Sequence, residues 1–214
     1  WHEKYKDKGL VIVGVHTPEF EFEKNPENVE KAIKDFGLEY PVMQDNDFAT
    51  WTLYANHYWP AKYLVNQEGK IVYTHFGEGD YDETEEKIQE LLSVDMPVRN
   101  PTYQVMARTP ETYLGSLRGD YSRIQTSGTW TKSEEYAKPG KGATMTMRYN
   151  AAKVFLVMRG SGRLNVYFNE TLVKTITVDA DKLYDIIDAS VPGEHILKLE
   201  FLDPGLELYA FTFG

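Results

Sequence analysis

The fold of the first half of this chain is decided by the stretch Tyr58-Trp-Pro-Ala-Lys-Tyr-Leu-Val-Asn-Gln-Glu-Gly-Lys-Ile-Val-Tyr-Thr-His-Phe76. Trp59-Pro60 ends the preceding segment, because the residue before a proline avoids helical backbone. Two strand-like segments, 61–65 and 70–75, follow and are separated by Gln67-Glu-Gly69, a tight turn. The stretch therefore predicts an antiparallel hairpin that is entered through a proline.

Strand and helix patterns alternate on both sides of this hairpin. The apolar run Leu10-Val-Ile-Val-Gly-Val15 is typical of a strand buried on both faces of a sheet. Asn25-Pro26 starts a helix that runs to about Phe36, since asparagine caps a helix and proline suits its first turn. Further helices are predicted after Asp45 or Asn46 and after Asp82. This alternation predicts an α/β domain.

The second half has a different pattern. Pro97 and Pro101 interrupt the helical periodicity, which is typical of a linker. We therefore predict one domain over residues 1–96, a linker over 97–107 and a second domain over 108–214. The second domain contains about seven short strands separated by turns, which predicts an all-β sandwich or jelly roll.

Composition excludes several classes of function. The net charge of −10 repels phosphate backbones, so nucleic acid is not an expected partner. No cysteine occurs, so the chain itself lacks the thiols needed for disulfide exchange or for Cys-ligated metals. The five histidines show no metal-binding spacing, and no glycine-rich nucleotide motif is present. The sequence therefore predicts neither a metal site nor a cofactor.

Several short motifs resemble those of the redoxin domains attached to DipZ-type cytochrome c biogenesis proteins. The motifs in the first domain are Gly14-Val-His-Thr-Pro-Glu-Phe20, Tyr40-Pro-Val42, Asp45-Asn-Asp47, Tyr58-Trp-Pro-Ala-Lys-Tyr-Leu64 and His75-Phe-Gly-Glu-Gly79. The second domain resembles the β-sandwich of that family through Thr109-Pro-Glu-Thr-Tyr-Leu-Gly115 and Leu208-Tyr-Ala-Phe-Thr-Phe-Gly214. The resemblance covers essentially the whole chain and implies a thioredoxin-like domain followed by a carbohydrate-module-like β-sandwich.

The resemblance also implies two features that this sequence lacks. In the family, a Cys-x-x-Cys pair begins the helix whose end resembles Trp1 to Lys8, closed by Gly9. The strand before that helix lies between the segments Leu10–Val15 and Ala61–Val65, so an N-terminally incomplete domain is expected to have an open sheet. We expect the sequence to be a fragment of a longer chain, in preference to a natural cysteine-free redoxin. A strand exchanged within a homodimer would also fill the gap.

The resemblance suggests the residues of a redox site. It implies a cis peptide bond at Pro60, which would face the cysteines and bind substrate backbone, with Trp59 at the rim. Plain core packing is an equal alternative for Trp59. His16 and Glu19 follow a buried strand, and Glu19 could accept a thiol proton, although bonding of both to loop backbone is the simpler interpretation. Asp45 and Asp47 are better explained as helix caps than as a carboxylate pair.

The function implied for the parent protein is extracytoplasmic thiol–disulfide oxidoreduction. The partners would be a disulfide-containing protein and a membrane-embedded electron-donor domain, and the parent would be periplasmic or at the cell surface and tethered to the membrane. The alternative is a redox-inactive scaffold whose β-sandwich binds glycans or protein partners. The β-sandwich contains many aromatic residues, but these do not decide whether it binds glycans, because aromatic rings both stack on sugars and fill sandwich cores.

Overall fold

The computed structural model describes residues 1–101 and 108–214, apart from the side chain of Ser190. The chain divides into two compact units, Trp1–Gln104 and Val105–Gly214. The predicted linker, 97–107, lies partly outside the described residues. Within unit 1, Lys4 donates a hydrogen bond to the carbonyl of Pro97, and Asn100 contacts Glu85. Residues 97 and 100 are therefore tied to the first unit.

Unit 1 has an alternating order of helices and strands, as the sequence predicts. Its elements are α1 (His2–Tyr5), β1 (Gly14–His16), α2 (Pro26–Asp35), β2 (Val42–Gln44), α3 (Ala49–Leu53), β3 (Ala61–Val65), β4 (Ile71–Phe76) and α4 (Tyr81–Leu92). The Asn25 side chain caps α2 by accepting the N–H of Glu27, and Gly9 adopts the left-handed conformation after the first helix. Among the described residues, no helix is both long and apolar enough to cross a membrane.

The strands of unit 1 form two separate pairs. β1 and β2 are parallel, whereas β3 and β4 form the predicted antiparallel hairpin. No hydrogen-bonded pairing joins these two sheets within the described part of the chain. One edge of β1 and one edge of β3 therefore lack a strand partner there, in agreement with the expected opening in the sheet.

The prediction that Leu10–Val15 forms a strand buried on both faces was wrong. Only Gly14–His16 is a strand, and the side chains of Val11, Val13 and Val15 are 80%, 54% and 43% exposed. A parallel strand is buried only when neighbouring strands and crossover helices cover it. Among the described residues β1 pairs with β2 alone, so Val15 and the preceding Val11 and Val13 remain accessible.

Unit 2 is rich in strands. Its elements are β5 (Thr112–Tyr113), β6 (Ile124–Ser127), β7 (Trp130–Lys132), β8 (Ala137–Pro139), β9 (Thr144–Arg159), β10 (Gly162–Phe168), β11 (Thr171–Val178), β12 (Lys182–Phe201) and β13 (Glu207–Phe213). The hydrogen-bonded order is β11-β10-β12-β9-β13-β8-β7, with β6 on β9 and β5 on β13. The short strands β5 to β8 were not predicted from the sequence.

The two longest strands, β9 and β12, pair with each other on both sides of register shifts. The first half of β9 also pairs with β6, and its second half also pairs with β13. Buried side chains of both halves, such as Met147 and Leu156, belong to one hydrophobic core. Unit 2 is therefore a strand-dominated unit around a single core, while its jelly-roll connectivity stays a prediction.

Gly115 shows how closely the chain is packed in unit 2. A Cβ atom at this position would lie 2.2 Å from the carbonyl oxygen of Glu134 and 2.5 Å from the Cα of Glu135. Backbone atoms cannot move aside as a flexible side chain can. Glycine is therefore required here by the approach of the neighbouring segment.

Candidate functional site

Three loops of unit 1 meet where β1 and β2 end and β3 begins. The Trp59–Pro60 peptide bond is cis, which confirms the prediction made for this bond. The indole Nε1 of Trp59 donates a hydrogen bond of 3.1 Å to the carbonyl oxygen of Thr17. This bond links the proline loop to the loop that contains His16 and Glu19, and so joins two of the predicted site segments.

Asp45 joins the third loop to this point. Its carboxylate accepts the backbone N–H groups of Thr50 and Trp51, each at 2.8 Å, and the hydroxyl of Thr17 at 3.2 Å. Burial opposes ionisation of Asp45, but these hydrogen bonds outweigh it and hold its pKa below the ordinary value. Asp45 therefore caps the amides in the first turn of α3, as predicted, but the N-cap position of the helix is Phe48 and not Asp45 or Asn46.

Replacing Asp45 with Ala is expected to destabilise α3 and the adjoining loop by about 1–2 kcal/mol, the usual cost of losing a capping side chain. Hydrogen exchange at the amides of Thr50 and Trp51 measures this effect, because both lose their acceptor. The exposed Asp47→Ala variant is the control. Equal exchange in both variants would contradict the capping role.

An aromatic surface surrounds the cis bond. The rings of Trp51 and Trp59 lie 4.2 Å apart between centroids, and those of Tyr58 and Phe76 lie 5.5 Å apart. Trp59, Tyr58 and Phe76 are each about half exposed. Trp59 therefore does not serve core packing alone, because its ring is held in place by Trp51 and Thr17 and still faces solvent.

The predicted proton-relay residues lie beside a carboxyl group that the sequence analysis missed. The Nε2 atom of His16 lies 3.0 Å from the carbonyl oxygen of Glu23, and the backbone N–H of Glu19 donates to Glu23 Oε2 at 2.7 Å. Burial raises the pKa of Glu23, although its hydrogen bonds to the amides of Glu19 and Phe20 oppose the change. Burial therefore makes the Glu23 carboxylate a stronger proton acceptor than an exposed glutamate.

The alternation Glu19-Phe-Glu-Phe-Glu23 was the available sequence signal for Glu23. Phe20 and Phe22 are buried, and the Glu23 carboxylate turns back onto the amides that begin this short helical turn. Such back-bonding is typical of a capping box. Sequence spacing alone could not show which glutamate would become desolvated.

A cluster of potential metal ligands lies elsewhere in unit 1. Ligand atoms of His2, Glu3 and Glu39 lie within 4.8 Å of one another. The ammonium group of Lys6 donates to Glu3 at 2.7 Å and to Glu39 at 3.1 Å. The lysine therefore already supplies a positive charge between these carboxylates.

Comparison with known proteins identifies similar sequences for both units. The family described as "Thioredoxin like C-terminal domain" matches residues 120–214. Protein DipZ of Mycobacterium tuberculosis is 32% identical over 247 aligned residues, which cover 100% of this chain and 35% of DipZ. The chain is a thioredoxin-like relative of DipZ. It spans about a third of the length of that relative.

Other relatives of this DipZ-like chain are described as thiol–disulfide oxidoreductases. The oxidoreductase YkuV of Bacillus subtilis is 25% identical over 93 residues, covering 44% of this chain and 62% of YkuV. Among solved structures, a family two carbohydrate esterase from Cellvibrio japonicus covers 50% of this chain and 34% of its own, with 14% identity and a TM-score of 0.44. That score is too low to establish a common fold.

Proposed function

We propose that this chain is part of an extracytoplasmic thiol–disulfide oxidoreductase in which unit 1 binds the partner protein. The observation that carries the proposal is the convergence of Trp59, the cis bond at Pro60 and Thr17 at one edge of an open sheet. Relatives described as thiol–disulfide oxidoreductases support a thioredoxin-like redox function at the level of the family. The β unit would be the carbohydrate-module-like sandwich that accompanies this domain.

The uncovered apolar side chains of unit 1 support an additional strand and helix in the working protein. Val13, Val15, Ile71 and Val72 are each about half exposed. Apolar patches of this kind on a soluble protein are usually covered by another segment or partner. A strand placed between β1 and β3 would pair with both free edges and carry the redox cysteines to the edge at which Pro60 lies.

The chemistry would be thiol–disulfide exchange with two cysteines supplied by that segment. One cysteine thiolate attacks a sulfur of the partner disulfide, forming a mixed disulfide and releasing the other partner sulfur as a thiolate. The second cysteine then attacks the mixed disulfide, so the partner leaves reduced and the oxidoreductase holds a disulfide. Glu23 would accept the proton of the second thiol, since its raised pKa suits transfer to and from a thiol.

Trp59 would contact the partner polypeptide. Its ring is exposed beside the cis bond, while the carbonyl oxygen of Pro60 already accepts the N–H of Gly77 at 2.8 Å. The proline loop is thereby held against the start of the loop after β4. An extended partner segment could then lie along the loop with apolar side chains against Trp59.

The alternative is a redox-inactive thioredoxin-like scaffold whose β-sandwich binds glycans or protein partners. A thiol count on the longer native protein distinguishes the two. Under the proposal, alkylation and mass spectrometry detect two reactive thiols that disappear on oxidation. Absence of thiols would contradict the oxidoreductase function and favour the scaffold.

Replacing Trp59 with Ala in the longer native protein is expected to raise the KM for a disulfide-containing peptide by about tenfold, through loss of one apolar contact surface. The kcat for a small disulfide should change little, because the cysteines remain. Steady-state reduction of both substrates measures the difference. Phe36→Ala, which removes an aromatic ring 77% exposed on another element, is the control. If the KM for the peptide is unchanged, Trp59 does not contact the substrate.

A further inference from the structure

An open groove of about 1030 Å³ lies on unit 2. Its lining residues are of polar types apart from Ile196 and include three arginines, Arg108, Arg123 and Arg148. We call it the arginine groove. Thr146 and Arg148 of β9 lie among its lining residues, and they alternate along the strand with the buried core residues Met145 and Met147.

The cations of the groove are not neutralised by the protein. Within the described part of the chain, Arg108 and Arg148 form no ion pair, and Arg123 reaches only Asp120 at 4.0 Å. Glu170 and Glu194 also line the groove, but neither pairs with these arginines. The side chains of all three arginines are exposed, so their guanidinium groups are available to an anionic ligand.

The distribution of charge along the chain favours binding of an anion to unit 2 over unit 1. Residues 1–104 contain 10 basic and 20 acidic residues, whereas residues 105–214 contain 13 of each. The whole net charge of −10 therefore lies in unit 1. An anion is repelled by unit 1 but not by unit 2, where the unpaired arginines are concentrated.

Two lining residues carry buried polar atoms without a hydrogen-bond partner: the hydroxyl of Tyr149 and Nε2 of His195. Tyr149 is 3% exposed, and its ring lies 5.6 Å from that of His195. Buried polar groups usually have partners, so unsatisfied ones next to a groove point to a ligand. These atoms add neutral hydrogen-bonding capacity beside the charged groups.

Asn169 sets the proton position on His195. The Asn169 Oδ1 atom accepts the N–H of Ile196 at 2.9 Å, which orients its Nδ2 group toward His195 Nδ1 at 3.4 Å. Since the amide nitrogen is a donor, Nδ1 of the neutral ring accepts and Nε2 carries the hydrogen. The unsatisfied Nε2–H therefore suits an oxygen acceptor, such as a hydroxyl or carboxylate of a ligand.

The groove offers little for stacking on a neutral sugar. Its aromatic lining residues are Tyr149, which is buried, and the partly buried His195. Its polar amides and hydroxyls suit the oxygen atoms of a saccharide, and its arginines suit carboxylates in a bidentate arrangement. We propose that the arginine groove binds an acidic saccharide, that is, a sugar chain bearing carboxylate groups. This binding is independent of the redox function of unit 1.

Titration calorimetry of the 214-residue chain with trigalacturonate tests the proposal. We expect saturable binding that weakens as salt is raised, and no binding of the neutral trisaccharide cellotriose. Arg148→Ala should weaken trigalacturonate binding by about tenfold or more, since a charge-assisted hydrogen bond to the ligand is lost. Arg148→Lys should recover only part of the affinity, because it keeps the charge but not the guanidinium fork.

Arg163→Ala is the matched control, because Arg163 lies outside the groove and bonds to Asp203 at 2.8 Å. Arg148 is exposed, so its replacement should leave the circular dichroism spectrum unchanged. Equal binding of cellotriose would overturn the acidic specificity. Equal binding of inorganic phosphate would show a general anion site, and equal weakening by Arg163→Ala would show a non-specific charge effect. Either outcome, or the absence of trigalacturonate binding, rejects the proposal.

Discussion

Replacing Phe211 with Ala is expected to lower the free energy of unfolding of unit 2 by about 3–5 kcal/mol. Phe211 is fully buried on β13, opposite Leu156 of β9 and Thr112 of β5. Truncation to Ala removes the whole buried ring and leaves a cavity that three strands cannot collapse into without breaking their pairing. Both the lost burial and the cavity lower stability.

Hydrogen exchange with mass spectrometry measures this loss where it occurs. Amides of β9 and β13 should exchange faster in the variant, while those of unit 1 keep their wild-type rates, because local opening reports the stability of each unit. Leu117→Ala is the control, since Leu117 is 73% exposed and loses little contact. Similar exchange in the two variants would mean that Phe211 does not anchor the core.

Replacing Glu85 with Gln is expected to lower the stability of unit 1 by about 3 kcal/mol at neutral pH. Glu85 lies on α4 with a nearly inaccessible side chain, and its carboxylate receives hydrogen bonds from Tyr5 at 2.5 Å, Trp1 at 3.2 Å and Asn100 at 2.7 Å. Lys4 also forms an ion pair with the Glu85 carboxylate. The amide of glutamine has one oxygen for these donors and no charge, so donors around α1 lose their acceptor.

The same carboxylate predicts a loss of stability in acid. Burial opposes ionisation of Glu85, but the hydrogen bonds from Lys4, Tyr5 and Asn100 outweigh it and lower its pKa from 4.5 to about 2. A carboxyl with a lower pKa in the folded state stabilises the protein above its unfolded pKa. That stabilisation is lost as the pH falls from 4.5 toward 2.

The predicted loss of stability in acid can be measured by denaturant unfolding at several pH values between neutrality and acid. The wild-type chain should lose more stability over that interval than Glu85→Gln, which has no proton to gain at this position. Glu86→Gln is the control, because Glu86 is the exposed neighbour on the same helix. If Glu85→Gln and the wild type lose equal stability as the pH falls, protonation of Glu85 does not cause the loss of stability in acid.

Local sequence signals were sufficient wherever a short segment determines its own backbone. Asn25 caps α2 as predicted, Gly9 ends the 3₁₀ turn after α1 in the left-handed conformation, and the hairpin of β3 and β4 turns where Gly69 allows it. These features depend on a few adjacent residues. The cis bond at Pro60 came from resemblance, since local sequence does not distinguish the isomers.

The candidate sites were predicted less completely, because they depend on residues far apart in the chain. Thr17 and Asp45 join the loops of the redox site through one hydrogen bond, although 28 positions separate them. Burial raises the pKa of the Glu23 carboxyl, and only packing could decide this. The arginine groove likewise combines distant residues: Arg148 lies on β9, Arg123 directly precedes β6, which pairs with β9, and the N–H of Arg108 bonds to the carbonyl of Asn150.

The sequence by itself determined the two halves of different character, the capped helices, the hairpin and the absence of thiols within this chain. Those properties follow from periodicity, turn chemistry and composition, which act over short distances. Tertiary structure alone decided that β1 stays half uncovered, that Glu85 is buried among donors and that the three arginines share one groove. Burial and charge environment arise from contacts between distant segments, and they set which groups pack, ionise or bind.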